Sequence, residues 1–565
     1  MEPNDILKGR QCILWGERRH IYEFTYMFDF LDYYGYISSD ENTHYKISLD
    51  ELAITDLEEL STPNFLIIIC AFDLGKYESI LQNYGLIDKM HYIQFEKLFE
   101  LLDPFKDSVL ADRKIAVWGT GETERNFRTA CIENGYKINA DCYIDNDPQK
   151  ENTEYCGRPV RQFSGLDHIE QYFIVVASIY YRDIKKELNG QGLQEGKDYL
   201  PFSSFMSRPS MMLKRQVYSK EMIDFYCNRP YTWFYYAWFG AYSCCSTWVE
   251  YPIGNPAADS PEQCWNSIVA KLYRLSADTR TYCFCKKDAC GIINRGKLNE
   301  QKIVPKGHPV IHVPAGRADC VRQSIDYTIP EKITLGLDYT CNLHCASCRD
   351  HTQVATGEQL RIREVFADEI IKTGWLEKTK ELELSGSGEA LFSKIDRKIL
   401  FANEKCKRNS ISLMSNGILL NEENLQKLKQ HFKSIRLNIS IDAAKESTYK
   451  ELRRGGNWNV LMDNLYRIGK MRRNNDIEYV EIRMVVQKRN YKEMIDFIQL
   501  GKKYQVDKVV FTKLLNWDMY SAEDYLEEAM LNKDGSIKRE LDQILRTEIF
   551  KDEIVVISEF KQFLN

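Results

Sequence analysis

Three cysteines in one short run have residue types and spacing suited to metal chemistry. The run reads CNLHCASC, with Cys341, Cys345 and Cys348 spaced C-x3-C-x2-C directly after the apolar stretch from Ile333 to Leu337. Thiolates ligate iron–sulfur clusters, and a cubane [4Fe–4S] cluster has four irons to satisfy. Three ligands from one loop leave one iron open for a small molecule. Zinc or buried thiols are the alternatives, although structural zinc sites favour paired C-x2-C half-sites and four protein ligands.

Helical patterns and short apolar strands alternate after the cysteine run, as is typical of a parallel α/β sheet. Polar or glycine-containing turns follow the second, third and fourth strands, at the strand ends where α/β barrels carry their chemistry. These turns are Ser385-Gly386-Ser387-Gly388-Glu389-Ala390, Ser415-Asn416-Gly417 and Ser440-Ile441-Asp442-Ala443. The predicted strands are Lys332–Leu337, Glu381–Leu384, Ile411–Met414, Ile435–Ile441, Tyr479–Val486 and Val506–Phe511.

Each of these turns also has a plainer interpretation. Glycines let the backbone approach a ligand closely, and Glu389 can accept hydrogen bonds from an ammonium group, but the same segment suits an ordinary turn before a helix. The segment Arg453-Arg454-Gly455-Gly456 is either part of the site or a solvated loop. Asn490 and Glu493 are predicted to form a helix N-cap and capping box.

Taken together, the cysteine run and the turns resemble the radical S-adenosylmethionine (SAM) enzymes over roughly residues 330 to 520. The resemblance implies a partial (β/α)6 TIM-like barrel, a [4Fe–4S] cluster on the three cysteines, and SAM chelated to the open iron. An electron from the cluster then cleaves SAM to a 5′-deoxyadenosyl radical. One departure is Ser347, which stands where many members carry an aromatic residue near the adenine.

The resemblance also implies which residues hold SAM. The turn after the second strand is similar to the family's G-G-E-P element, which holds the SAM amino group. The turn after the third strand is similar to the family's T-N-G turn. The turn after the fourth strand is similar to S-I-D-A, which contacts the SAM ribose and carboxylate. The implied cofactor-binding residues are Gly386, Ser387, Gly388, Glu389, Ser415, Asn416, Ser440 and Asp442.

A second group of cysteines precedes the predicted barrel. Cys227, Gly240 and Cys245 are spaced C-x12-G-x4-C, and further cysteines follow. This resembles the SPASM module, which carries auxiliary iron–sulfur clusters, although that module normally follows the barrel. The resemblance implies one auxiliary [4Fe–4S] cluster, with a zinc knuckle or free thiols as the alternative. Its expected ligands are Cys227, Cys245, Cys283 and Cys290, with Cys244, Cys285 and Cys320 as substitutes.

The first part of the chain contains a degenerate repeat. A strand, the glycine turn Gly119-Thr120-Gly121, a helical pattern and an acidic strand end at Asp145 follow the order of half a Rossmann fold. Glu124 replaces the third glycine of the nucleotide fingerprint. Gly85-Leu86, Tyr92 and Phe95 match the spacing of Gly192-Leu193, Tyr199 and Phe202, which predicts two tandem α/β units joined around Asp103–Asp112. The second resembles Rossmann-like domains of sugar and surface-glycan biosynthesis; an empty docking module is the alternative.

Length and composition set the remaining expectations. A chain of 565 residues is too long for one core, and we expect four domains. They are two Rossmann-like units at 1–108 and 109–207, the cysteine-rich module at 208–328 and the barrel with C-terminal helices at 329–565. The net charge of −6 and the lack of a long apolar stretch predict neither nucleic-acid nor membrane partners. Seventeen cysteines without a signal-like N-terminus predict a reducing cytoplasm.

The sequence therefore predicts a radical SAM oxidoreductase that abstracts a hydrogen from its substrate. A sugar nucleotide or glycan precursor is the first expected substrate, because of the tandem Rossmann-like units. A ribosomal peptide or protein, modified by a maturase, is the alternative. A third hypothesis is a non-catalytic iron–sulfur redox sensor or scaffold. The SAM-pocket residues argue against it, because such a protein would need no SAM pocket. We also expect an electron donor such as flavodoxin or ferredoxin and, since Rossmann-like pairs often associate, a homo-oligomer.

Overall fold

The computed structural model describes most of the chain and divides it into two compact units. One unit comprises Met1–Phe234 and Phe239–Thr328, and the other Tyr235–Trp238 and Ile329–Asn565. The described residues are 6–7, 9–28, 31–41, 45, 47–60, 62–71, 73–102, 113–121, 123–125, 127–128, 139–203, 209–220, 227–287, 289–296, 329–384, 388–402, 407–517, 519–557 and 560.

The first sheet has four parallel strands in the order β2-β1-β3-β4. Its strands are β1 (Gln11–Gly16), β2 (Tyr33–Ser38), β3 (Phe65–Cys70) and β4 (Tyr92–Gln94). Ile67, Ile68 and Ile69 in β3 are all fully buried, because a parallel strand that is covered on both faces is apolar along its whole length. The associated helices are Arg18–Met27, Leu57–Leu60, Gly75–Asn83 and Phe95–Leu102, with a 3₁₀ turn at Ile54–Asp56.

The second sheet has six strands in the order β10-β9-β5-β6-β8-β7, parallel except for the antiparallel β7–β8 pair. The strands are β5 (Lys114–Trp118), β6 (Cys142–Ile144), β7 (Glu154–Tyr155), β8 (Arg158–Arg161), β9 (Tyr172–Val176) and β10 (Tyr199–Pro201). The helix Tyr181–Gly190 and the 3₁₀ turns Pro148–Lys150, Phe163–Gly165 and Ile169–Gln171 accompany them. The predicted Rossmann-like parallel sheets are confirmed, while the predicted joint at Asp103–Asp112 lies outside the described residues.

The two sheets end in the same local structure. The matched glycines adopt the left-handed conformation, with φ of 64° at Gly85 and 80° at Gly192. The amide of the leucine after each glycine donates to a leucine carbonyl of the preceding helix, at 2.9 and 3.1 Å respectively. The chain then enters the last strand of its sheet at Tyr92 or Tyr199. The spacing that predicted a repeat thus reflects one helix-to-strand connection used twice.

The cysteine-rich region contains β11 (Trp233–Ala237), β12 (Gly240–Tyr242) and several helices. Arg274 is buried among them, with its guanidinium 4.6 Å from the ring centre of Trp265. It donates to the carbonyl oxygens of Trp265 at 2.7 Å and Pro230 at 3.1 Å. These bonds hold Nε and Nη2 of the buried cation and fix neighbouring elements to each other. The helices are Pro209–Tyr218, Arg229–Thr232, Pro261–Trp265, Ile268–Asp278 and Gly291–Gly296.

The second unit is built on parallel strands that follow one another in chain order, with Tyr235–Trp238 beside the first of them. The strands are β13 (Lys332–Gly336), β14 (Glu381–Leu384), β15 (Arg408–Ser415), β16 (Phe432–Ser440), β17 (Tyr479–Val486), β18 (Lys508–Lys513) and β19 (Val555–Val556). The six predicted strands are confirmed, within a few residues at each end. The helices are Gly357–Lys372, Lys394–Leu400, Glu422–His431, Glu446–Leu452, Trp458–Arg473, Met494–Tyr504, Ala522–Glu528 and Arg539–Leu545, with 3₁₀ turns at Tyr491–Glu493 and Glu548–Lys551.

The two faces of this sheet differ in polarity. Leu437 and Ile439 of β16 are fully buried, whereas Asn438 and Ser440 between and after them are half-buried. The register pairs Ser440 of β16 with Arg483 of β17, so the polar positions of neighbouring strands lie side by side. One face therefore packs an apolar core, and the other presents polar side chains. None of the described helices combines the length and apolar character needed to cross a membrane.

The left-handed glycine at the end of the second sheet gives a direct stability test. A Cβ added to Gly192 would meet no atom within 4 Å, so Gly192→Ala should cost only the backbone strain, about 1–2 kcal/mol. Gly190, the last residue of its helix, also has open space but no positive φ, so Gly190→Ala should be neutral or stabilising. Calorimetric unfolding of both variants checks this. Equal unfolding temperatures for Gly192→Ala and Gly190→Ala would contradict the left-handed turn at Gly192.

Candidate functional site

The cysteine loop directly follows β13 and is fixed by backbone hydrogen bonds to two other segments. Cys341 is buried, Cys345 is half-buried and Cys348 is exposed. The amide of Cys341 donates to the Gln353 carbonyl at 3.0 Å. Two further amides of the loop donate to the carbonyls of Leu452 and Arg454, at 2.9 and 3.1 Å. The loop is thereby held both to the chain that follows it and to the segment after β16.

A buried ion pair holds the start of the loop. Asp338 follows the end of β13 by two residues and lies 2.6 Å from Nη1 of Arg363, with side chains only 1% and 3% exposed. The same carboxylate accepts hydrogen bonds from the Thr340 hydroxyl at 3.0 Å and the Ser393 hydroxyl at 2.7 Å. The Arg363 guanidinium also lies 3.8 Å from the ring centre of Tyr339. Asp338 therefore joins β13, the loop and two helices at one point.

The turn after β14 packs directly against this loop. A Cβ on Gly388 would lie 2.5 Å from the Thr340 carbonyl oxygen, so only glycine fits there. Next to it, the amide of Glu389 donates to the same carbonyl at 2.9 Å. Of the implied SAM-binding residues in this turn, Gly388 and Glu389 therefore contact the loop, whereas Gly386 and Ser387 lie outside the described residues.

Glu389 connects this turn to the next one. Its buried carboxylate accepts hydrogen bonds from the Ser415 hydroxyl at 2.9 Å and the Asn416 amide at 2.7 Å. Burial raises the pKa of Glu389, and these hydrogen bonds act in the opposite direction. The Asn416 side chain in turn donates to Asn342 Oδ1 at 2.8 Å, inside the cysteine loop. The structure thus brings Glu389, Ser415 and Asn416 together at the cysteines.

The turn after β16 reaches the loop through an arginine. Asp442 has a left-handed φ of 63°, and its Oδ2 lies 2.8 Å from Nε of Arg453. Nη1 of Arg453 lies 3.5 Å from Cys345 Sγ. Asp442 also accepts from the Val485 amide at 2.8 Å. Arg453 is 12% exposed and contacts the cysteine loop, so the interpretation as a solvated loop is wrong for this residue, whereas Arg454 and Gly455 are exposed. Ser440, the last residue of β16, is half-buried.

Two arginines lie beside the thiols. Nε of Arg349 is 3.4 Å from Cys348 Sγ, and its Nη1 donates to the Tyr339 carbonyl at 2.8 Å. Burial raises the pKa of Cys341 and Cys345, while Arg349 and Arg453 respectively lower it. Positive charge at these positions stabilises thiolates, which are the metal-binding form of cysteine.

Asn490 and Glu493 do not form the predicted capping box. Asn490 makes no side-chain cap on the turn that follows it; its amide group donates to the Asp442 carbonyl at 2.8 Å. Glu493 accepts from the amides of Ala444 and Lys445 at 2.8 and 3.1 Å, at the start of the helix Glu446–Leu452. The prediction was wrong because both side chains bind a segment that is distant in sequence.

Several residues of the site were not identified from the sequence, namely Asp338, Asn342, Arg349 and Arg363. A signal existed for one of them. Arg363 lies on the apolar face of the helix Gly357–Lys372, beside Ile362 and Phe366, and a lone cation at such a position requires a buried partner. The identity of that partner follows only from the tertiary structure.

The cysteine loop offers the ligand type that iron–sulfur clusters use. Within the part of the chain that the structure describes, no three His, Cys, Asp or Glu side chains lie close enough together to hold one metal ion. The cysteines of a cubane each ligate a different iron, so their sulfur atoms do not meet at one point. Cys341, Cys345 and Cys348, with two adjacent guanidinium groups, fit an anionic cluster.

The upstream cysteines are divided between different surroundings. One cavity is lined by four of them, Cys227, Cys244, Cys285 and Cys290, together with Arg229. Burial raises the pKa of Cys244 to about 12, and Arg229 acts in the opposite direction. Nη1 of Arg229 is buried without a hydrogen-bond partner.

The other two predicted ligands point elsewhere. Cys283 Sγ lies 3.3 Å from Gln216 Oε1 within a buried polar network. Cys245 Sγ lies 3.2 Å from the Thr247 hydroxyl. The structure therefore brings together Cys227 and Cys290 of the predicted set, joined by Cys244 and Cys285 from the predicted substitutes; Cys320 lies outside the described residues.

Two acidic side chains near the glycine turn of the second sheet already have hydrogen-bond partners. The Asp145 carboxylate, where a Rossmann fold would bind ribose, accepts from the Thr120 hydroxyl and lies 2.9 Å from Lys150 Nζ. Glu124 is buried and accepts from the Tyr155 hydroxyl at 2.6 Å. Next to this network, Gly121 faces open space.

Comparison with known proteins assigns two segments to families. Residues 339–501 match the model of the Radical SAM superfamily, and residues 111–197 match the model described as C2185-like, N-terminal. A GTP 3′,8-cyclase of Clostridium botulinum (strain Okra / Type B1) is 25% identical over 226 residues, 39% of this chain and 67% of that protein. A GTP 3′,8-cyclase of Clostridium perfringens (strain SM101 / Type A) is 28% identical over 187 residues, 33% of this chain and 54% of that protein. The chain thus spans about half to two thirds of these relatives.

Solved structures show weaker likeness. Streptococcus suis SuiB bound to precursor peptide SuiA has a TM-score of 0.30 at 13% identity, covering 48% of this chain and 60% of that one. Native anSMEcpe with bound AdoMet and Kp18Cys peptide has a TM-score of 0.23 at 16% identity, covering 33% and 52%.

The ion pair at the base of the cysteine loop should be essential for the second unit. Arg363→Met leaves the Asp338 carboxylate buried without a counter-charge and should cost about 3–5 kcal/mol. The double variant Arg363→Met/Asp338→Asn keeps an acceptor for Ser393 and buries no charge, so it should regain much of that loss. Urea unfolding of the three proteins measures the difference; a double variant as unstable as the single one would contradict this role for the charge.

Proposed function

We propose that this enzyme abstracts a hydrogen atom from its substrate, because residues 339–501 match the model of the Radical SAM superfamily. Enzymes of that family use a [4Fe–4S] cluster and SAM. When bound, the two cofactors supply a 5′-deoxyadenosyl radical by reductive cleavage of SAM. The protein contributes the binding, orientation and shielding of these groups. We propose that it works in the cytoplasm with a flavodoxin or ferredoxin as its electron donor.

The convergence of three separate turns on one cysteine loop carries this proposal. Gly388 packs on the loop, Asn416 donates to Asn342 within it, and Arg453 links Cys345 to Asp442. A loop that only bound a structural metal would not need contacts from the ends of β14, β15 and β16. These contacts support a site at the carboxyl ends of parallel strands, where α/β barrels carry their chemistry.

We further propose roles for the chain's own residues. Cys341, Cys345 and Cys348 would hold the cluster, with Arg349 and Arg453 offsetting its negative charge. Gly388 would face the amino group of SAM, a role that the resemblance also implies for Gly386 and Ser387, while Ser440 and Asp442 would face its ribose and carboxylate. Because both Glu389 oxygens already accept hydrogen bonds from Ser415 and Asn416, Glu389 would position these turns.

We also propose a barrel architecture for the second unit and a division of the chain into four domains. The strands β13 to β18 are parallel neighbours in chain order, which supports a partial (β/α)6 barrel whose polar face surrounds the substrate. The four-domain division at residues 108, 207 and 328 is likewise proposed. The boundary between the two compact units, after Thr328, agrees with the last of these positions.

For the auxiliary cluster we propose the ligands Cys227, Cys244, Cys285 and Cys290. These four share one cavity, whereas Cys245 and Cys283 contact other polar groups. The buried Arg229 guanidinium beside them would offset the charge of thiolates and sulfides, and its free Nη1 could donate a hydrogen bond to the cluster. A zinc site on the same thiols is the alternative that metal analysis distinguishes.

The substrate we propose is a nucleotide-containing small molecule, such as a sugar nucleotide or glycan precursor. The Rossmann-like second sheet, with open space at Gly121, supports this choice. The curated relatives named GTP 3′,8-cyclase also favour a nucleotide over a peptide. A peptide or protein substrate is the alternative, and a non-catalytic redox protein would not need the SAM site.

Iron content tests the cofactor proposal. Anaerobically reconstituted protein should hold about eight irons per chain, corresponding to two cubanes, and the triple variant Cys341→Ala/Cys345→Ala/Cys348→Ala should keep about half. SAM should change the electron paramagnetic resonance spectrum of the reduced protein and yield 5′-deoxyadenosine. Zinc in place of iron, or no spectral response to SAM, would refute the proposal.

A matched pair of variants tests the auxiliary ligands within the same experiment. Cys244→Ser/Cys285→Ser should lose about four irons, because it removes two cavity ligands of one cubane. Cys245→Ser/Cys283→Ser should keep them all. The reverse pattern would restore the ligand set expected from the sequence.

The nucleotide proposal is tested at Gly121. Because a side chain there meets no atom within 4 Å, Gly121→Glu should preserve the fold while opposing a phosphate, weakening UDP-glucose binding about tenfold or more. Gly190→Glu, at an open glycine at the end of the helix Tyr181–Gly190, is the control and should leave the affinity unchanged. Isothermal titration calorimetry measures both, and unchanged affinity in Gly121→Glu would count against a nucleotide at this turn.

A further inference from the structure

One arginine on the polar face of the second unit's sheet is bonded through a single nitrogen. Nε of Arg483 donates to the carboxylate of Glu481, whose side chain is 9% exposed. The Tyr479 hydroxyl donates to the other carboxylate oxygen at 2.9 Å. Within the described residues Nη1 and Nη2 of Arg483 have no hydrogen-bond partner, and 32% of the side chain is exposed.

Other cations on this face are bonded through their charged ends. Lys332 Nζ contacts both Glu381, at 2.9 Å, and Glu383. Arg436 donates from Nη1 to Glu478 at 2.6 Å and lies 4.5 Å from the ring centre of Tyr479. These groups form the ion pairs of an ordinary polar surface. Arg483 differs because its Nε is held while the two outer nitrogens are available.

The position of Arg483 places this free end near the cysteine site. Arg483 is the register partner of Ser440 on the adjacent strand, so both side chains lie on the polar face. The amides of Ile441 and Asp442 both donate to the Arg483 carbonyl, at 3.0 and 3.3 Å. Asp442 in turn pairs with Arg453, the residue that contacts Cys345.

We propose that Nη1 and Nη2 of Arg483 bind a carboxylate or phosphate group of a molecule held at the cysteine site. This inference rests on the proposed function, and the anion comes either from SAM itself or from the substrate. A guanidinium presents parallel N–H groups that match both oxyanions. The bond to buried Glu481 fixes the plane of the group in advance, which reduces the entropy lost on binding.

The alternative role for Arg483 is to neutralise Glu481, and the variants are chosen to separate the two roles. Arg483→Gln alone would leave a buried carboxylate without its counter-charge. The double variant Arg483→Gln/Glu481→Gln replaces the ion pair with a neutral hydrogen-bonding pair, so it should fold and retain the wild-type iron content. Arg436→Gln/Glu478→Gln is the matched control, since it neutralises another ion pair of the same face.

Calorimetric titration of the reconstituted full-length enzyme distinguishes the two sources of the anion. If Arg483 binds SAM, the double variant should bind SAM about tenfold or more weakly, with unchanged affinity for methylthioadenosine, which lacks the carboxylate. If it binds the substrate, SAM affinity should be unchanged, and inorganic phosphate should bind the SAM-loaded variant about tenfold or more weakly than the wild type.

Affinities for SAM and phosphate that both stay within about twofold of wild type would overturn the anion site. The same loss of affinity in the Arg436 control would also overturn it, because the effect would then arise from general surface charge. Wild-type protein that binds no SAM would instead refute the proposed function. Phosphate titration without SAM would in that case decide the role of Arg483 by itself.

Discussion

The cysteine loop depends on one buried ion pair, between Asp338, two residues after the end of β13, and Arg363 in the following helix. Both side chains are almost fully excluded from water, so neither charge is tolerated without the other. The carboxylate also accepts hydrogen bonds from Thr340 and Ser393. Since Thr340 immediately precedes Cys341, the geometry of the first cysteine is set by this pair. A buried charge pair contributes little net stability, but it favours one arrangement of the loop that carries the cysteines.

The remaining strand ends are attached to that loop by a series of short polar contacts. Gly388 allows two backbones to pack directly, Glu389 joins two turns, and Asn416 reaches Asn342 inside the loop. Asp442 and Arg453 complete the series at Cys345. Every one of these groups is bonded to another strand end, so the site is preorganised before any cofactor binds. Preorganised dipoles and charges are the protein's main contribution to cofactor chemistry.

In the first unit, burial and polar contacts likewise determine which cysteines lie together. A set of cysteines with irregular spacing can be connected to metal in many ways, and sequence proximity does not select among them. Their surroundings differ: Cys283 bonds to Gln216 in a polar network, whereas Cys244 and Cys285 share a cavity with Cys227, Cys290 and Arg229. The two Rossmann-like sheets beside this region repeat one connection, yet their turns differ. In the second sheet the Asp145 carboxylate is already bonded to Thr120 and Lys150. Open space remains beside Gly121.

The sequence by itself determined the elements and the chemistry that is local to them. Short apolar segments that alternate with helical patterns located the six parallel strands, because this order is typical of a parallel α/β sheet. The C-x3-C-x2-C run and the turns Gly388-Glu389, Ser415-Asn416 and Ser440–Asp442 indicated the cofactor, because their ligands lie within a few residues of each other. Only the tertiary structure decided which distant residues meet. Arg363 meets Asp338, Arg453 meets Cys345, and Asn490 meets Asp442. Cys244, and not Cys245, lines the cavity with Cys227. The separations of these residues along the chain carry no periodic signal. Hydrogen bonds and ion pairs act over a few ångströms, so their partners are fixed by packing and not by sequence spacing.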